Sequence, residues 1–175
     1  VPVFLNLSDS RKPLKGVNLF FTHPKEGYNG LRDLTPMQDA AGDPIFLRPR
    51  ELTIGNAFSS PKTDMIYTDA ATKPCSLLLN ITCSRVNACM NIYDLAKDAQ
   101  AKHGHVCVVA ISGSAVKVRK PGCVFWDEFA KGMSIGKVLQ TIDTELGIEV
   151  PIFVFGYSQM QRGDSFRTDK RVPTH

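Results

Sequence analysis

The sequence lacks any apolar run long enough to cross a membrane: stretches such as SLLLNIT and VCVVAI fall far short of the roughly 20 residues a spanning helix requires. It also lacks a C-x-x-C pair. Its five cysteines, at 75, 83, 89, 107 and 123, follow no regular frame, and an odd number suits disulfide pairing badly. They read as reduced, mostly buried thiols. With no basic-then-apolar leader either, this predicts an intracellular chain, cytoplasmic or nuclear. Charge of one sign is not in large excess, and a net +4 permits phosphate contact without requiring it. The clusters RKPLK (11–15) and KVRK (117–120) read as solvated surface. Internal repeats and low-complexity tracts are missing. No G-x-x-x-x-G-K-[ST] loop and no D-E-x-[DH] exists anywhere, which predicts that these residues alone do not hydrolyse ATP.

What is present is enough for one globular domain with a real core: 175 residues, 43% hydrophobic and 22% charged. The opening Val1-Pro2-Val3 and the closing Pro173-Thr174-His175 read as the ends of a segment from a longer protein. Two unlike parts follow one another. Residues 1–73 carry seven prolines between short extended runs and turn signals such as Gly42-Asp43-Pro44, and read as a loop-rich lead-in or inter-domain segment. Residues 74–175 read as an α/β domain. CSLLLNIT (75–82) has the continuous apolar character of a strand covered on both faces. Val86, Cys89, Met90, Tyr93 and Ala96 then fall at helical spacing between Ser84 as N-cap and Gly104 as stop. HVCVVAIS (105–112) is a second buried strand, parallel to the first through a crossover. After a looser stretch with AVKVRK and the single tryptophan, Ser134 caps a helix striped by Ile135, Val138, Leu139, Ile142 and Leu146 and ended by Gly147. VPIFVFGY (150–157) is the third buried strand. The predicted architecture is an open, mainly parallel sheet with helices on both faces.

Ligands of such sheets lie beyond the carboxyl ends of the strands, so the polar residues after each apolar run are the candidate site. The first exit carries Thr82 and Ser84, the second Ser112 and Gly113, and the third Gly156-Tyr157-Ser158-Gln159-Met160-Gln161-Arg162-Gly163. Hydroxyls, backbone N–H groups and an arginine at strand exits suit phosphate oxygens. This order, ending in Arg162-Gly163-Asp164-Ser165, resembles the second RecA-like domain of superfamily 2 helicases and related translocases over residues 74–172. SLLLNITCS stands where that family has its fourth motif, and Arg162-Gly163-Asp164-Ser165 where it has a fifth motif of the R-G-x-[DT] kind. EGYNGLRDL (26–34) is similar to a Y-x-G stretch between the two RecA-like domains.

The resemblance implies that Thr82, Ser84, Ser112, Gly113 and Arg162 contact nucleic acid, DNA or RNA, and that Gly163 and Ser165 face a nucleotide. It implies ATP and Mg only in a full-length parent that also holds the first RecA-like domain, as partner of this one; Q-x-x-G-R, the sixth motif, is not in these residues. A different class stays open: a non-enzymatic α/β ligand-binding or protein-interaction domain of a larger viral, effector or restriction-type protein. Weaker signals are read structurally. Arg162-Gly163-Asp164 lacks the export context of an integrin ligand, and Asn6-Leu7-Ser8 and Asn80-Ile81-Thr82 carry little weight as glycosylation acceptors. His103 and His105 are read as helix-end residues, and Asp127-Glu128 as a solvated helix start.

Overall fold

Three buried strands form the core of the unit Met37–His175: β1 (Leu77–Asn80), β2 (Cys107–Ile111) and β5 (Ile152–Phe155). All of β2 and β5 is buried, as a strand covered on both faces requires. Strand β5 lies between the other two and pairs parallel with both, so that Val154 stands opposite Leu79 on one side and Val109 on the other. Strands β1 and β2 are thus parallel but not adjacent; the crossover between them leaves a gap that β5 fills. Beyond β2 the chain turns back through β3 (Val116–Arg119) and β4 (Asp127–Phe129), both antiparallel to their neighbours. The sheet order is β1-β5-β2-β3-β4. The expected parallel sheet is therefore its three-strand core, and the whole is a mixed α/β sheet. The computed structural model describes residues 37–44, 61–80, 88–113, 115–129, 132–156, 160 and 165–175, all within the unit Met37–His175.

Strand alternation divides the core in two. Leu78, Val108, Ala110, Phe153 and Phe155 face α1 (Pro61–Thr72) and α2 (Ala88–Lys102), while Leu77, Val109, Ile111, Ile152 and Val154 face α3 (Ile135–Leu146). Helices cover both faces. Helix α3 buries the predicted stripe of Ile135, Val138, Leu139 and Ile142, with Leu146 half-buried at its edge. Ser134 precedes it in extended backbone but makes no side-chain cap bond, and Gly147 ends it at φ +83°, where a side chain would be strained.

Helix α2 buries Ile92, Leu95, Ala96 and Ala99 and leaves Tyr93 half-buried. Of the predicted stripe, Ala96 is buried and Tyr93 packs half-buried against the core, while the side chains of Val86, Cys89 and Met90 and the start at Ser84 lie outside the described residues. The small side chains of Ala96 and Ala99, together with Ala70 and Ala71 of α1, let both helices lie close to the sheet. Helix α1 lies within the stretch that reads as loop-rich. Pro61 holds its first position, where the missing N–H costs no hydrogen bond. Asp127-Glu128, read as a helix start, instead form β4.

The final residues run along the outer edge of β1. The Leu79 N–H donates to His175 O at 2.9 Å and the Thr174 N–H to Leu77 O at 2.9 Å. This covers a sheet edge that would otherwise present unpaired backbone groups.

Candidate functional site

The parallel core puts the three strand exits next to one another. Phe155 of β5 stands between Asn80 of β1 and Ala110 of β2, and the Gly156 N–H donates to Asn80 O at 3.0 Å. Asn80 is buried, and its Nδ2 donates to Tyr67 Oη at 2.6 Å, tying the first exit to α1. Gly156 is needed for close packing: a Cβ there would come within 2.3 Å of Met160 Sδ. Met160 is itself buried in the cluster on the α3 face.

Of the seven residues singled out in the sequence, three can be placed. Ser112 is buried at the end of β2, where its hydroxyl donates to Ala115 O at 3.1 Å and accepts from Tyr93 Oη at 3.4 Å. It closes the β2–β3 turn. Gly113 is exposed in that turn. Ser165 is exposed, and its carbonyl lies 3.2 Å from where a Cβ on Gly136 would stand, so glycine at 136 lets this backbone lie close against the first turn of α3. Phe166 then enters the core on the α3 face. Thr82, Ser84, Arg162 and Gly163 lie outside the described residues, as does EGYNGLRDL.

The two lysines of the KVRK stretch are paired with acids rather than simply solvated. Lys117 pairs with Glu128 at 3.2 Å, and Lys120 with Asp127 at 3.1 Å and Glu145 at 2.7 Å. Donating a hydrogen bond to Glu128 raises the Lys117 pKa, and donating to Glu145 and Asp127 raises that of Lys120. The Lys117 ammonium also lies 5.7 Å from the Tyr93 ring centre, and Tyr93 meets Trp126 edge-on at 5.4 Å. Arg119 donates from Nε to Cys123 O at 2.8 Å and so holds the turn after β3.

Two arrangements that sequence reasoning missed involve the tail. Arg171 has no exposed side-chain surface; it pairs with Asp143 of α3 at 2.9 Å and donates to Ser76 O at 2.7 Å and Ile148 O at 2.9 Å. The second oxygen of Asp143 accepts from Thr168 at 2.7 Å. The only signal in the sequence was an acid beside the apolar stripe of α3; nothing marked Arg171 as its partner. The second arrangement has the residue types of a hydrolytic triad: Ser76 Oγ lies 3.4 Å from His175 Nδ1, and His175 Nε2 lies 2.9 Å from Asp69 Oδ2. Ser76 is only 1% exposed and also contacts the Thr174 hydroxyl at 3.0 Å, so no substrate carbonyl can reach it. This is an anchor for the tail.

His103 and His105 hold structural posts. His105 Nε2 is 2.7 Å from Ala71 O, while His103 packs edge-on against Phe153 and burial lowers its pKa. Among the described residues no group of His, Cys, Asp and Glu could hold a metal ion. Cys107 is buried and its thiol pKa is pushed up to about 12 by desolvation, Cys75 is half-buried, and Cys123 is exposed. Cavities of about 380 Å³ and 220 Å³ open at the opposite end of the sheet, the larger beside Pro74, His105 and Pro151, which precede the three parallel strands. No helix among the described residues is long and apolar enough to cross a membrane. No protein-family model, curated protein or solved structure matches this chain.

Proposed function

We propose that the chain is the second RecA-like half of a superfamily 2-type helicase or translocase, contacting nucleic-acid phosphates at its strand exits and supplying one wall of a nucleotide cleft in the full-length protein. One observation supports this reading above the rest: the exits of β1, β5 and β2 emerge side by side, and the segment carrying Arg162 and Gly163 leaves from the central strand. An arginine and backbone N–H groups at that position suit a phosphate, through charge-assisted hydrogen bonds. These residues alone do not supply the groups that hold ATP with Mg: the chain has no phosphate loop, and among the described residues no group of His, Cys, Asp and Glu could hold a metal ion. No hydrolytic step is therefore assigned to it.

The test is Arg162→Ala in the full-length protein. It is expected to weaken nucleic-acid binding or coupled hydrolysis by roughly ten- to a hundredfold, and to flatten the salt dependence of binding. Lys97→Ala, at an exposed position on α2, is the control for nonspecific loss of charge and is expected to change little. Arg119 cannot serve as that control because it holds its own turn. Equal, small effects from both changes would sink the phosphate reading.

A second reading, a non-enzymatic interaction domain, is favoured by Val124 and Phe125, which are 71% and 82% exposed beside the KVRK strand. The flanking sequence separates the two. A phosphate-loop lysine and acidic pair upstream with Q-x-x-G-R downstream supports the motor, and their absence the interaction domain.

A further inference from the structure

The turn between β3 and β4 holds two adjacent apolar side chains that the fold leaves in water: Val124 and Phe125 are more exposed than any other large apolar residue described, Phe125 at 82%. Beside them opens the cavity of about 220 Å³, walled by Ala101 and Gly104 at the end of α2 and by Gly122 and Val124 of the turn, with Arg119 at one side. Its walls are small. Gly122 stands at φ +73°, where a side chain would be strained, and nothing lies within 4 Å of a Cβ built there. An apolar cavity of about 150 Å³ admits benzene, so this one has room for a phenyl ring. The chain's own Phe125 does not line it, but Val124 does, so ring and cavity share one face of the hairpin. An exposed apolar patch beside a fitting cavity marks a contact site. Charge on this face is largely settled within the chain, since Lys117 pairs with Glu128, and Lys120 with Asp127 and Glu145. That leaves little to draw nucleic acid or an anionic membrane, and little to repel an identical surface.

We propose that this face joins two copies of the chain in a two-fold dimer, with Phe125 of each copy seated in the cavity of the other. An isologous interface needs a surface complementary to itself, and a projecting ring adjacent to a ring-sized cavity is one. A single two-fold axis between the two features satisfies both contacts at once and closes the assembly. Arg119, held by its Nε on Cys123 O, lines the cavity, where a planar cation suits the incoming aromatic face. So few anchors place the interface in the small, transient class, below about 1,200 Å² in total, with a dissociation constant of about 10–100 µM. The cavity opens at the end of the sheet opposite the strand exits, so this dimer does not rest on phosphate contact there.

The experiment is sedimentation equilibrium of the full chain from about 5 µM to about 1 mM, kept reduced so that the exposed Cys123 cannot cross-link copies. The parent is expected to pass from monomer to dimer and no further. Phe125→Ser removes the ring and Ala101→Trp fills the cavity; both positions are exposed, so the fold is expected to survive, which circular dichroism checks. Each variant alone is expected to weaken the dimer at least about tenfold. Mixed together they are expected to associate more tightly than either does alone, because the ring of one still meets the open cavity of the other. Nonspecific adhesion through Phe125 does not produce that rescue. A parent that stays monomeric throughout overturns the proposal, and so does a dimer that survives Phe125→Ser, or a pair of folded variants without rescue. Binding of a monomeric parent to phosphatidylcholine vesicles through Phe125 would make a membrane the occupant, and overturns it as well.

Discussion

Asp143 and Arg171 are 3% and 0% exposed in their side chains, and they hold each other with help from Thr168, Ser76 and Ile148. A buried pair of this kind is worth little against a well-packed apolar substitute, yet losing one partner strands a charge in the core. Asp143→Ala is therefore expected to cost about 3–5 kcal/mol, read as a lower urea midpoint with an unchanged slope. Arg171→Met is expected to cost a similar amount, and Asp143→Leu combined with Arg171→Met to recover much of either loss. Single-variant costs near those of surface residues would show that the pair is hydrated in solution. The pair was half legible. Asp143 lies one residue after Ile142 on the margin of an apolar stripe, a place where an acid needs a partner. Arg171 lies in a stretch without periodicity, so nothing local could mark it as buried.

Helix α3 could be read from sequence because its apolar residues recur at 3.6-residue spacing and only one face meets the sheet. Helix α1 could not: its buried side is Tyr67, Ala70 and Ala71, and alanine carries too little apolar weight to announce a face. The β3–β4 hairpin was obscured by its own chemistry, since Lys117 and Glu128 look like solvated charge until strand pairing sets them opposite one another, and Lys120, just past the end of β3, looks the same until the hairpin brings it to Asp127. Strand β5 owes its clean exit to Gly156. Gly156→Ala places a methyl within 2.3 Å of Met160 Sδ, and is expected to destabilise by about 1–3 kcal/mol. Because the clash is with a flexible side chain, Met160→Ala in the same chain is expected to cost less than the two single changes added together. Strict additivity in thermal or urea unfolding would place Met160 elsewhere.

On the scale of the whole molecule, the tail closes the sheet at β1 and ties it to α1 through His175 and Asp69, which are 106 residues apart in sequence. Burial alone would raise the Asp69 pKa, but hydrogen bonds and charge from Lys73 and His175 outweigh it and bring it below its ordinary 3.8. The sign follows by linkage: the unfolded chain takes up the Asp69 proton at a higher pH than the folded one. The contribution of Asp69 is thus fully present above pH 3.8 and is lost as pH falls through the lowered folded value. Asp69→Asn is expected to be less stable than the parent at pH 5, with the difference shrinking as pH falls below 3.8. A gap that stays constant or widens on acidification would remove Asp69 from the anchor.

The amino-acid sequence by itself determined the three buried strands, the helix that covers one face, and the alternation that makes this an α/β sheet. Each is a local pattern of period 2 or 3.6, or an unbroken apolar run, and hydrophobic burial acts on such patterns wherever they occur. It also placed Ser112 and Gly113 at the end of a strand. Tertiary structure alone decided that β5 enters between β1 and β2, that the hairpin adds an antiparallel lip, and that Ser112 closes a turn. It alone joined Arg171 to Asp143, His175 to Asp69, and Gln100 to the turn holding Cys123. These are pairings between residues distant along the chain, and their partners are chosen by geometry and by the cost of an unpaired buried polar group, neither of which leaves a local trace in sequence.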